Sequence, residues 1–242
     1  RRSLPRALDA KLAPQFAPAH AAAIKALVRR GAFGGGAVVR VQDNYVVQWA
    51  INEKKAGPAT TLPPEFERPL AGLTLTPLPG RDAYADGAGF IDGFPVAIDK
   101  GARTVWLQHC YGMVGVGRGN APDSGDGGEL YAVIGHAPRH LDRNMASVGR
   151  IVAGIEQLAA LPRGTEALGF YKTDRERLPI LRARMASDLP AAQQPRFEVM
   201  ADTSPSFAAY MNARANRSDA FFMRPAGAVD ACNVRIPIRA VK

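Results

Sequence analysis

The sequence predicts a mainly β fold: a closed eight-stranded antiparallel barrel capped by two helices, with an α/β extension at its C-terminal end. Glycine (24) and proline (19) are abundant among the 242 residues, which favours many turns over a helical bundle. About eight short runs of β-branched and aromatic residues are separated by turn compositions, with only two amphipathic helical stretches among them. That many antiparallel strands leave exposed edges unless the sheet closes on itself. With 47% hydrophobic and 22% charged residues the chain can bury a core, so neither wholesale disorder nor a fibrous repeat is expected.

Taken in order, Pro18–Arg30 reads as a helix, with proline at its start, Ile24, Leu27 and Val28 on one face and Gly31 as its stop. Ala37–Ile51 holds two strand-like runs around Gln42-Asp43-Asn44, a turn composition. Residues 52–104 are rich in proline, glycine and acids and read as a long insertion with its own small structure, including strands at Leu73–Thr76 and Phe94–Ile98. Strands resume at Thr104–Leu107, Gly112–Val116, Leu130–Gly135 and Ser147–Val152. A second helix follows at Ala153–Leu161, ending before Pro162, and Leu178–Ala186 alternates as a closing strand. Past Pro190 come a Gln/Pro-rich linker, a helix at Ser204–Asn216 with Ser204 as its cap, and a strand at Asn233–Ile238. The expected domains are a barrel over 1–190 containing the 52–104 insertion, and an extension over 191–242 that its aromatic residues pack onto the barrel.

Lysine and arginine (31) exceed aspartate and glutamate (22), for a net charge of +9. The excess is scattered: no basic run reaches five residues and none is interleaved with aromatics, so nucleic acid is not an expected partner. No apolar stretch is long enough to span a membrane. The start Arg1-Arg2-Ser3-Leu4-Pro5 lacks the apolar middle of a leader, so a removed signal segment is the expectation. Cys110 and Cys232 allow one disulfide in an oxidising compartment or two buried thiols otherwise.

Common enzyme templates are absent: there is no Gly-x-Ser-x-Gly, no Walker loop, no His-Glu-x-x-His and no Cys-x-x-Cys. Gly115-Val116-Gly117-Arg118-Gly119 lacks the following helix that a phosphate loop needs, and Pro138 separates His136 from His140. Ser124, between Asp123 and Gly125, reads as a turn. No metal or cofactor is expected.

What remains is a pattern. Phe33-x-Gly35-x-x-Val38-x-Arg40-Val41 is followed eight residues after the arginine by Gln48. Gly112-Met113-Val114-Gly115-Val116, Leu130-Tyr131-Ala132-Val133-Ile134, Leu141-Asp142 and Val148-Gly149-Arg150-Ile151-Val152-Ala153-Gly154-Ile155 follow in order. Over about residues 5 to 188 this resembles the cyclophilin family, and Arg40-Val41-Gln42-Asp43-Asn44-Tyr45-Val46, His136-Ala137-Pro138-Arg139 and the long insertion together resemble a bacterial, exported branch of it. The resemblance implies a cyclophilin-like barrel and peptidyl-prolyl cis–trans isomerisation of proline-containing polypeptides in the folding of periplasmic or secreted proteins, by a monomer, with a cytoplasmic location as the alternative. It also implies the site. Arg40 would be the donor guanidinium and Gln48 the amide that orients it. Tyr45, Val46, Tyr131, Ala132 and Leu141 would wall the proline pocket, and Gly117 with Arg118 would meet the residues before the proline. Departures from the family pattern are Tyr131-Ala132 in place of a pocket phenylalanine, His140 in place of an aromatic, Met145 in place of a histidine, Trp49-Ala50 after Gln48 and Val38 in place of an aromatic. They imply a weaker or differently selective isomerase, the alternative being a binding module for proline-containing segments.

Overall fold

The computed structural model describes residues 8–58 and 60–241. The Arg1-Arg2-Ser3-Leu4-Pro5 start, read above as what a removed leader leaves, lies outside the described residues. In chain order the elements are β1 (Asp9–Leu12), α1 (Pro18–Arg29), β2 (Ala37–Val41), β3 (Val46–Ala50), β4 (Arg68–Pro69), β5 (Thr76–Pro77), β6 (Gly87–Ile91), β7 (Phe94–Asp99) and β8 (Thr104–Leu107). They continue with β9 (Met113–Val116), β10 (Glu129–Val133), β11 (Ser147–Ala153), α2 (Ile155–Ala159), β12 (Leu178–Pro179), β13 (Phe197–Val199), α3 (Pro205–Ala215) and β14 (Ile238–Ala240). Among the described residues no helix is long and apolar enough to cross a membrane.

The chain divides into two compact units. The first comprises Arg1–Phe66 and His109–Gln194. Its antiparallel sheet has seven strands in the order β1-β11-β9-β10-β3-β2-β12. One face of the sheet buries Val114, Val116, Leu130, Ala132, Val148 and Ile151 against Ile24 and Leu27 of α1 and Phe33 after it. Helix α1 forms because proline occupies its first turn, where the missing N–H is no loss, and because its buried residues recur on one side.

The sequence predicts a closed ring of eight strands; the described pairings instead make an open order of seven, ending at β1 and β12. Two causes are visible. Thr104–Leu107, counted toward the barrel, pairs with β7, where Trp106 faces Ala97. The predicted closing strand at Leu178–Ala186 shrinks to Leu178–Pro179, because only Leu178 and Pro179 pair with β2, and Ile180 bonds instead to Gly35 and Gly36, ahead of that strand. The second helix is likewise shorter than read. Gly154 adopts a left-handed conformation before it, and it ends at Ala159.

The second unit comprises Glu67–Gln108 and Pro195–Lys242. It holds a five-stranded sheet in the order β4-β8-β7-β6-β5, the β13–β14 pair and α3. Ser204 caps α3 as the sequence predicts, its hydroxyl accepting the Phe207 N–H at 3.2 Å. Phe90 of β6 and Phe207 of α3 are both fully buried and meet edge to face at 5.1 Å. Leu78, Ala88, Met211, Ala231, Val234 and Ile236 complete this core. Most of the 52–104 segment and the 191–242 segment, read as separate additions to a barrel, thus share one hydrophobic interior.

Candidate active site

The β2–β3 turn uses the residues that its sequence offered. Gln42 N–H donates to Val46 O at 2.9 Å and Tyr45 N–H to Gln42 O at 3.3 Å, with Asn44 at φ +50°. The Asn44 side-chain oxygen accepts the His136 N–H at 2.7 Å. The Asn44 backbone also passes so close to Gly135 that a Cβ there would overlap it, which brings the 135–145 loop up against the hairpin.

Pairing across the sheet sets the site. Arg40 lies opposite Gln48, Gln48 opposite Tyr131, Tyr131 opposite Gly115 and Gly115 opposite Ser147, one row over five strands. Because side chains alternate along a strand, Glu129, Tyr131 and Val133 of β10 share one face with Val46 and Gln48 of β3. Val46, Tyr131 and Val133 form a buried cluster there, with Tyr45, Leu141 and Met145 packed against it.

Arg40 ends this row. Its Nε donates to Leu168 O at 2.7 Å, Nη1 to Gln48 Oε1 at 3.1 Å and Nη2 to Gln42 Oε1. The guanidinium lies 5.5 Å from the Tyr45 ring centroid and 5.1 Å from that of Phe170. Of its five N–H groups these bonds use three, so one on each terminal nitrogen has no protein acceptor among the described residues. Burial draws its pKa below the usual arginine value, against the opposing pull of Tyr45 and Glu129. Gln48 is buried, and its Nε2 donates to Glu129 Oε1, which fixes the amide with its oxygen toward Arg40. Burial raises the Glu129 carboxyl above the ordinary range; Arg40 opposes this and Asp126 adds to it.

Beneath the apolar cluster, Tyr131 runs across Gly115, where any Cβ would overlap its phenol. Its hydroxyl lies 2.8 Å from His109 Nε2, and His109 Nδ1 lies 2.9 Å from Asp142 Oδ1. Asp142 also accepts the His109 backbone N–H at 3.0 Å and the Arg139 Nε–H. Burial pushes the Asp142 carboxyl up, but the His109 hydrogen bond and the Arg139 charge outweigh it and hold it below its ordinary value. Burial holds the Tyr131 phenol protonated far above its usual range.

Among the predicted site residues, Arg40, Gln48, Tyr45, Val46, Tyr131, Leu141 and Met145 come together. His140 is exposed and stacks on Tyr45 at 6.0 Å. Ala132 does not join them: as Tyr131's neighbour on a strand it points to the other face and packs with Val114 and Leu130. The Gly117 N–H already donates to Glu129 O at 2.8 Å. The Arg118 guanidinium is tied to the carbonyls of Asn144 (2.9 Å), Gly119 (2.8 Å) and Asn120 (3.2 Å). Sequence reading missed Glu129, although two-residue alternation from Tyr131 puts it on the site face. It also missed Gln42, Leu168 and Phe170 around Arg40, and the His109–Asp142–Arg139 chain, whose members no local spacing connects.

This arrangement offers a held pair of cationic donors beside a buried apolar cluster. The family model described as cyclophilin type peptidyl-prolyl cis-trans isomerase/CLD matches residues 5–184. The crystal structure of cyclophilin AquaCyp293 from Hirschia baltica is similar with a TM-score of 0.75 and 25% identity, over 96% of this chain and 86% of that one. A cyclophilin type peptidyl-prolyl cis-trans isomerase from Cryptosporidium parvum shares 13% identity over 68% of this chain and 85% of its own, with a TM-score of 0.42. No curated protein matches the chain. By a match over most of its length, the chain belongs to the cyclophilin-type peptidyl-prolyl cis–trans isomerases.

Proposed function

We propose that Arg40 is the group that accelerates X–Pro rotation in this isomerase, and that its substrates are proline-containing segments of exported polypeptides undergoing folding. The barrier is amide resonance, about 18–20 kcal/mol, and at its top the imide nitrogen has regained a localised lone pair while the carbonyl swings out of plane. Neither planar isomer offers that lone pair. A guanidinium N–H aimed at the imide therefore binds the twisted state in preference to both ground states, which is what raises a rate. The observation that carries the reading is the pair of unspent Arg40 N–H groups, held by Gln48, Gln42 and Leu168 next to the cluster of Val46, Tyr131, Val133, Leu141 and Met145.

Each neighbour has a part in this reading. Gln48 accepts from Arg40 and is fixed in turn by Glu129, so the fork keeps one direction during turnover. The apolar cluster takes the proline ring and keeps water from the bond, where a twisted, less dipolar amide is favoured. The chain acts as a monomer in a periplasmic or secreted location. Support for an oxidising compartment comes from the cysteines, neither of which is a free thiol. Finding the protein confined to a reducing cytoplasm would overturn that location.

The test is a protease-coupled isomerase assay on an X–Pro peptide with the wild type and Arg40→Ala. The expected loss in kcat/KM is about a hundredfold, the scale of removing one directed transition-state donor, with unchanged circular dichroism. Equal rates for both proteins would overturn the role of Arg40.

A further inference from the structure

We propose that His109 is a positioning residue for the isomerase site, acting through its hydroxyl contact to hold Tyr131, the floor of the apolar cluster, in place. The inference rests on the site assigned above and adds to it a group that touches no substrate. His109 is 1% exposed and Tyr131 4% exposed, so neither bond of the imidazole is made for solvent.

The directions of the hydrogen bonds follow from the partners. An ionised Asp142 only accepts, so His109 Nδ1 carries the proton toward it; in the neutral imidazole Nε2 is then an acceptor, and Tyr131 O–H donates to it. On its other oxygen Asp142 accepts from Arg139, whose guanidinium is itself buried. A chain of buried polar groups thus runs from Arg139 to the phenol. Because Leu141 lies between Arg139 and Asp142 in sequence, and Met145 N–H donates to Leu141 O at 3.1 Å, the same chain secures the wall as well as the floor. Gly115 supplies the room for the phenol to reach His109. An apolar residue at 131 would fill the floor without being pinned at its far end. Buried polar networks that are fully satisfied fix one arrangement where apolar packing tolerates several.

Two substitutions separate the ends of the imidazole. His109→Asn retains a donor near the Nδ1 position for Asp142 and removes the acceptor for Tyr131, whereas His109→Gln places an amide oxygen near Nε2. In the isomerase assay His109→Asn is expected to lower kcat/KM about threefold to tenfold, the range for one buried hydrogen bond, with His109→Gln recovering most of it. In a Tyr131→Phe background, which itself shows the same loss, His109→Asn is expected to change nothing further. A purely structural histidine would instead lower the melting temperature equally in both backgrounds and leave kcat/KM alone, and losses that multiply would also overturn the proposal. Nitrogen-15 spectra of histidine-labelled protein at neutral pH supply a readout independent of activity. The His109 signal should show the Nδ1–H tautomer, shifted in Tyr131→Phe; an Nε2–H tautomer would overturn the network. If the wild type lacked Arg40-dependent turnover, the function would fail while these spectra still judged the network.

Discussion

In the unit built from Glu67–Gln108 and Pro195–Lys242, Phe90 and Phe207 meet edge to face among Leu78, Met211, Val234 and Ile236. Under the site in the other unit, Tyr131 shares the interior with His109, Asp142 and Arg139. The first interior is held by apolar area, about 1.5–3 kcal/mol for each large side chain fully buried, and several packings of similar volume would serve it. The second contains charges whose desolvation offsets much of what their pairing contributes. What the polar interior supplies is direction: one tautomer, one orientation of Tyr131, one placement of Leu141. Stability and geometry are thus carried by chemically different interiors.

The largest expected effect breaks the apolar side of that contrast. Phe207→Ala should destabilise its unit by about 3–5 kcal/mol, seen as lost amide protection in β6, β7 and α3 by hydrogen exchange. The amides of β3 and β10 should keep theirs; equal loss in both units would erase the distinction. Next, Gly115→Ala forces the Tyr131 phenol off His109, because the new Cβ and the hydroxyl would overlap. A loss of at least tenfold in kcat/KM is expected with β9, β10 and β11 still paired, and an undiminished rate would show that the floor tolerates a shifted phenol.

An acid titration sharpens the polar side. The Asp142 carboxyl is lowered in the folded chain, so it binds fewer protons there than when unfolded. Its contribution to stability is therefore present above the ordinary carboxylate pKa of about 4 and is lost as pH falls through the lowered value. Urea midpoints of the wild type should drop across that acid window, and those of Asp142→Asn should drop less. The smallest effect belongs to Glu129. Its carboxyl is raised, chiefly by burial, so the stability it lends is present below the unfolded pKa and is lost as pH rises through the folded one. Glu129→Gln should accordingly be no less stable than wild type at pH 7, while kcat/KM falls a few-fold because Gln48 loses a charged acceptor. A variant both less stable and fully active would reverse that assignment.

Arg40 and Gln48 are singled out by the family resemblance, and the register of the consecutive strands β2 and β3 sets the two opposite each other. Helix α1 and the cap of α3 were legible from proline and serine at their starts. Ala132 was misplaced although two-residue alternation already separates it from Tyr131. The β6 run Gly87-Ala88-Gly89-Phe90-Ile91 escaped notice because small residues carry little strand signal, yet all five are buried. Neither the partnership of Phe90 with Phe207 nor that of His109 with Tyr131 and Asp142 leaves any periodicity to read. Such contacts exist only once distant segments have been brought together by the sheets.

The most direct test of the central claim keeps the charge at position 40 and removes its fork. Exchange spectroscopy at saturating X–Pro peptide, comparing the wild type with Arg40→Lys, reads the rate of rotation on the protein itself. Directed guanidinium donors predict an exchange rate at least tenfold lower in Arg40→Lys with peptide affinity nearly unchanged. Equal exchange rates in the two proteins would contradict the account.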